Sequence, residues 1–164
     1  MNDEVLEFAG EVMEDSQEGQ FLTFNLGEQE YGIEIRNVTE IIGIQKITDL
    51  PETSDYVKGV INLRGKVIPV VDVRLRFGMV EREYDERTCI VVVNIQDTSV
   101  GLVVDTVSEV INIPDSQIEP APKVNQKRPG QQFVFGLGKV EGEVKILLDT
   151  QKLLFNNELE TLKA

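Results

Sequence analysis

The chain has 164 residues, 29 acids against 16 bases, a formal net charge of −13, one Cys, no His and no Trp. Without His, the usual general base, the Ser-His-Asp and Cys-His pairs and the commonest zinc ligand are missing; one Cys makes neither an internal disulfide nor a thiolate cluster. The acidity argues against a nucleic-acid partner, and no apolar run reaches the length of about 18 residues that would suggest a membrane span.

Residues 1–19 carry seven acids (Asp3, Glu4, Glu7, Glu11, Glu14, Asp15, Glu18) and no base, so more than half of the net charge lies on this segment. It is read as an acidic flexible tail. Val5, Phe8 and Val12 form a thin helical stripe, so a short docked helix is the alternative. No basic residue precedes an apolar stretch, so no signal peptide is expected and the expected location is cytoplasmic.

From Gln20 the texture turns to short β-type runs. Phe21–Leu26, a tight turn at Gly27–Glu30 and Tyr31–Ile35 read as a hairpin. Arg36–Ile42 shifts to helical spacing, with Ile35, Val38 and Ile41 or Ile42 on one face. A loop around Pro51 leads to a second hairpin, Val57–Leu63 and Val67–Val71, turning at Arg64-Gly65-Lys66. Pro69 is expected at an edge or bulge, because it cannot donate to a ladder. Val73–Phe77 reads as one helical turn ending at Gly78. Cys89–Ile95 is continuously apolar, which suggests burial on both faces. A turn at Gln96–Ser99 leads to Val100–Val104, and Val107–Ile113 continues as strand. Residues 114–132 form a long polar segment with four prolines, either mobile or functional. Phe133–Val140 and Val144–Leu148 make a last hairpin, and Leu153, Leu154, Leu159 and Leu162 suggest an amphipathic helix over 151–164.

The chain repeats itself. Tyr31–Ile42 resembles Val100–Ile111 at an offset of 69, and Gly59…Gly65-Lys66-Val67…Asp72 resembles Gly136…Gly142-Glu143-Val144…Asp149 at an offset of 77. The aligned Gly and Glu positions carry the signal, and the offset changes inside the long polar segment. The physical reading is two similar small β-barrels packed as a pair, the first roughly 20–80 and the second roughly 86–150, with strand exchange between them left open. Each half, at about 65 residues, buries little core alone, so mutual burial helps both. Ile35 and Val38 correspond to Val104 and Val107. These side chains are either all core, or some of them line an apolar groove for a partner helix.

Glu30-Tyr31-Gly32-Ile33, Val57-Lys58-Gly59-Val60-Ile61-Asn62-Leu63-Arg64-Gly65, Ile68-Pro69-Val70-Val71-Asp72 and Gly101-Leu102-Val103-Val104-Asp105 resemble the CheW-like family of bacterial chemotaxis coupling proteins. Order and spacing match over roughly residues 20–155. The resemblance implies an all-β fold of two packed five-stranded SH3-like barrels with short connecting helices and a C-terminal helix. It implies a non-catalytic adaptor, without cofactor or metal, that couples the cytoplasmic hairpin tip of a chemoreceptor to the regulatory domain of the histidine kinase CheA. Such a protein is recruited to membrane-associated receptor arrays without inserting into the membrane. A coupling domain of a non-chemotactic receptor–kinase pathway is the alternative. The implied receptor groove comprises Leu22, Ile35, Val38, Glu40, Ile41, Asn62, Arg64, Gly101, Val104 and Val107. The implied kinase contacts lie near Val67 and Cys89, with a second, ring-closing contact at Glu119 and Val124, and other copies of the protein are further candidate partners in rings.

Arg64 either touches the receptor or pairs with Glu40 to fix the first connection against the hairpin. Asn62 is a candidate turn cap. Gly32, Gly59, Gly65 and Gly101 are expected where backbone conformation or close packing demands them. Asp72 and Asp105 read as caps after strands rather than as a catalytic carboxylate pair. Cys89 reads as a small hydrophobe at the start of an apolar strand.

Overall fold

The computed structural model describes residues 18–51, 53–121 and 130–155. The acidic tail up to residue 17, the stretch containing Val124 and the expected helix beyond Phe155 lie outside the described residues.

The chain runs β1 (Gln20–Leu26), β2 (Gln29–Glu34), a 3-10 turn (Ile35–Asn37), β3 (Val38–Gly43), β4 (Val57–Leu63), β5 (Lys66–Asp72) and helix α1 (Val73–Arg76). It continues through β6 (Cys89–Ile95), β7 (Thr98–Val104), β8 (Thr106–Asn112), β9 (Ile118–Glu119), β10 (Val134–Val140), β11 (Glu143–Leu148) and helix α2 (Thr150–Phe155). One sheet has the order β8-β1-β2-β11-β10-β9 and the other β3-β6-β7-β5-β4. These are the two SH3-like barrels, one of them extended by the two-residue β9.

The repeat is visible in this topology. Replacing β1, β2, β3, β4 and β5 by β6, β7, β8, β10 and β11, and the reverse, converts the five-stranded order into the first five strands of the other. The registers follow as well. Val38 faces Val93 and Ile42 faces Ile90, while 69 residues away Val107 faces Phe24 and Ile111 faces Phe21. Val57 faces Val71 and Gly59 faces Val70, while 77 residues away Val134 faces Leu148 and Gly136 faces Leu147. The parallel closures also correspond, Val70 beside Gly101 and Leu147 beside Gly32. Each barrel takes strands from both halves of the chain. A division near residue 80 therefore separates the repeats and not the sheets.

The hairpin turns explain part of this regularity. Arg64-Gly65 and Glu141-Gly142 each hold two successive positive φ angles (51° and 88°, 49° and 82°). That backbone matches the twist of the flanking strands. Asp72 ends β5 and accepts from Leu75 N at 3.2 Å, and Asp149 ends β11 and accepts from Lys152 N at 3.1 Å. Both helices thus start on an aspartate cap.

Two elements differ from the sequence expectation. Arg36–Ile42 is not a helix but a short 3-10 turn followed by β3. A β-bulge between Val38 and Glu40 shifts the register by one residue. Val38 and Ile41 therefore both point inward although three residues apart, which imitates helical spacing. Pro69 lies in β5, an interior strand, and the hairpin bulge is at Val57/Gly59. The neighbouring β7 pairs only with Val70–Asp72, so Pro69 stands outside that parallel ladder.

The core has three parts. The largest cluster draws on both sheets, including Leu22, Phe24, Ile33, Ile35, Val91 and Leu102. A smaller one (Ile61, Ile68, Val70, Ile90, Val92, Val103) belongs to the five-stranded sheet, and another (Phe21, Ile113, Leu147) to the six-stranded sheet. Alternation along β6 feeds Val91 and Val93 to the shared core and Ile90 and Val92 to the barrel's own. This is why Cys89–Val93, the first five residues of β6, are all apolar and all buried.

Candidate functional site

The shared core sits where the two barrels meet, and the residues expected to line a receptor groove divide there into two groups. Leu22, Ile35, Val38, Ile41 and Val104 are buried members of the shared core, none more than 1% exposed. Gly101 is buried as well. These six do not line an open groove. The five side chains belong to the cluster through which the two barrels cover each other's apolar faces, and Gly101 packs against Ile90 and Val70.

The remaining four reach the surface to different degrees. Val107 and Glu40 are half-buried, while Asn62 and Arg64 are exposed. Asn62 Oδ1 accepts from Gly65 N at 2.8 Å, which closes the β4–β5 turn. That turn presents the Arg64 side chain, which donates from Nη1 to Glu40 Oε1 at 3.0 Å and from Nη2 to Glu40 Oε2. The fork is bidentate, joins the β4–β5 turn to β3, and raises the guanidinium pKa further through the hydrogen bond to Glu40. The expected Arg64–Glu40 pair is present, with Arg64 71% and Glu40 20% exposed.

The other barrel carries a different chemistry at the equivalent places. By the two repeat offsets, Glu40 corresponds to Glu109 and Arg64 to Glu141, both exposed carboxylates. The pseudo-twofold is therefore exact enough for registers and broken in charge.

Of the expected kinase contacts, Val67 is 64% exposed on β5. Glu119 lies on β9 and pairs with Lys139 at 2.6 Å. Cys89 is only 2% exposed and belongs to the shared core, so its side chain is covered within this chain. Burial raises its thiol pKa. Val124 lies outside the described residues.

The sequence reading did not find the polar cluster at the ends of β5 and β7. Asp105 Oδ1 accepts from Arg74 Nε at 2.8 Å, and Oδ2 accepts from Arg74 Nη2 at 2.6 Å, Arg82 Nη1 at 2.9 Å and Gly27 N at 2.7 Å. Burial opposes ionisation of Asp105, and the Arg74, Gly27 and Arg82 donors overcome it, holding the carboxyl below the ordinary value. Buried Asp72 accepts from the Tyr84 hydroxyl at 2.6 Å. Asp72 is thus a helix cap and Asp105 accepts a turn amide, both within the expected turn and helix capping, and Asp105 holds two arginines besides. Every oxygen of both carboxylates is taken by a structural donor. Among the described residues, no group of three or more His, Cys, Asp or Glu side chains is arranged to hold a metal ion, and no helix is long and apolar enough to cross a membrane.

Residues 20–158 match the model of the CheW-like domain. The chain is 41% identical over 140 residues to the chemotaxis protein CheW of Klebsiella aerogenes, covering 85% of this chain and 84% of that protein. It is 35% identical over 147 residues to the CheW of Helicobacter pylori, covering 89% and 88%. Among solved structures, the scaffolding protein TtCheW from Thermoanaerobacter tengcongensis superposes with a TM-score of 0.77 at 37% identity, covering 85% of this chain and 94% of that one.

Proposed function

The chain belongs to the CheW-like domain family, and from that premise we propose that it is a non-catalytic scaffold coupling chemoreceptor tips to the histidine kinase CheA. The observation that carries the receptor half of this reading is the rim over the shared core. There half-buried Val107 packs against the cluster that holds Leu22, Ile35, Val38, Ile41 and Val104, and the Arg64–Glu40 fork is anchored on β3, the strand that supplies Val38 and Ile41 to that cluster. A helical hairpin laid on this rim meets an ion pair, turn polar groups and one accessible apolar side chain. Such a contact is modest in area and gains strength from the many copies in an array.

The kinase half rests on Val67, an apolar side chain left 64% exposed on β5, facing exposed Asn62 on β4. A barrel of similar fold docks there end to end, and the Glu119 region on β9 gives a second contact for ring closure with the kinase or with further copies. Membrane arrays then recruit the protein through the receptor.

The test is a pull-down of the full chain with a CheA regulatory domain and, separately, with a receptor-tip fragment. Capture by both supports the scaffold. A folded chain that binds neither refutes it.

A further inference from the structure

The chain crosses between the barrels at two equivalent places, and the two differ in their polar contacts. The first crossing, from β2 to β3, runs through the 3-10 turn Ile35–Asn37. Its middle residue, Arg36, pairs with its near neighbour Glu34 at 2.7 Å and its side chain is 57% exposed. The second crossing, from β7 to β8, is the single residue Asp105, which the repeat offset of 69 matches to Arg36. Its carboxylate reaches three separate segments: Arg74 on α1, Arg82 on the connection between the repeats, and the amide of Gly27 in the β1–β2 turn of the other barrel. Its own amide donates to Asn25 O at 3.1 Å. The side chains of Asp105 and Arg74 are 9% and 15% exposed, so the fork is held away from solvent. Arg74 also donates to Val80 O at 3.3 Å and Tyr84 donates to Asp72, so residues 79–88 are fastened across the same end of the sheet.

We propose that Asp105 is a positioning residue that fixes the angle between the two barrels at the β7–β8 crossing. The consequence lies in the groove. Val107 lies two residues beyond Asp105 and is held in place by it, whereas Glu40 follows the Ile35–Asn37 crossing and is held instead by Arg64. A partner helix seated on the rim therefore meets Val107 at a fixed position. The groove's role as a receptor site rests on the function proposed above; the latch itself does not.

The test compares the wild type with Asp105→Asn and Arg82→Gln by amide hydrogen exchange and by binding of a receptor-tip fragment and a CheA regulatory domain. Asp105→Asn removes the charge opposite Arg74. Arg82→Gln removes one half-exposed donor and keeps the fold testable if the first variant does not fold. Exchange is expected to rise at Gly27 and across residues 79–88, about tenfold in Asp105→Asn and about threefold in Arg82→Gln. Tip binding is expected to weaken by similar factors, with kinase-domain binding changed by less than about twofold. Unchanged exchange at Gly27 in a folded Asp105→Asn protein overturns the latch. Equal loss of both partners, or unchanged tip binding despite faster exchange, overturns its positioning role. A wild type that binds no tip fragment defeats the functional reading, while the exchange comparison still decides the latch.

Discussion

Gly101 lies against Ile90 with no room for a side chain: a Cβ on Gly101 would stand 2.8 Å from the Ile90 Cγ2 methyl of a fully buried residue. At the equivalent glycine of the other barrel, Gly32, a Cβ would meet the Leu147 Cδ2 methyl at 3.0 Å. The first obstacle is a methyl on a stiff branched carbon, and the second is the end of a longer, more adaptable side chain. Gly101→Ala is expected to cost about 1–3 kcal/mol through overpacking, and Gly32→Ala less. Urea midpoints measure both, and the reverse order contradicts the packing argument.

The Tyr84 hydroxyl predicts an alkaline limit. Burial, followed by its bond to the Asp72 carboxylate, pushes the phenol well above the tyrosine range. A group whose folded pKa is raised contributes its stability fully below the unfolded value, about 10 for Tyr, and loses it as pH rises beyond that. Denaturant midpoints are therefore expected to fall from about pH 10 upward, and Tyr84→Phe to flatten that fall. Tyr31, raised by burial, leaves a residual slope in the variant. At neutral pH Tyr84→Phe is expected to cost about 1–2 kcal/mol for the lost donor to Asp72.

The Arg64–Glu40 fork separates two ways of contributing to binding. If Arg64 acts by holding Glu40, then Arg64→Ala and Glu40→Ala each weaken receptor-tip binding by about three- to tenfold, and the double variant is no weaker than Glu40→Ala. If both residues touch the tip independently, their effects multiply. Titration of a tip fragment with all four proteins tells these apart. Unchanged tip binding and unchanged amide exchange in Arg64→Ala exclude both.

The broken charge symmetry is open to repair. Glu141 occupies the same turn position as Arg64, with φ 49° against 51°, and Glu109 the position of Glu40. Glu141→Arg is expected to create a second fork and raise stability by less than about 1 kcal/mol, an effect removed by about 1 M salt. Thermal midpoints at low and high salt check it, and a lower midpoint at low salt contradicts the equivalence.

Val67→Glu places a charge on the surface assigned to the kinase. Because Val67 is 64% exposed, the fold is expected to tolerate it. Kinase-domain binding is expected to fall about tenfold or more, with receptor-tip binding retained. Loss of tip binding alone moves the kinase surface elsewhere.

Much of the fold was legible because its signals are local. Alternating runs gave the hairpins, and Asp72 gave a helix start. The aligned glycines at 32 and 101 gave the repeat, because both sit where a neighbouring strand's side chain occupies the place of a Cβ. The β3 segment was misread because one bulge at Val38/Glu40 changes the period of burial, and a bulge leaves no separate mark in the sequence. The site was less legible. Arg64 with Glu40 was expected, but Arg74, Arg82 and Gly27 meet at Asp105 from positions far apart in the chain.

The sequence by itself determined the β class, the absence of His-based and metal–thiolate chemistry, the internal repeat and the family, since each depends on composition or on residues at short fixed spacing. Only the tertiary structure decided which strands share a barrel and that Leu22, Ile35, Val38, Ile41 and Val104 face the other barrel and not a partner. The reason is physical. An apolar stripe records that a face must be covered, and only the exchanged strands show what covers it.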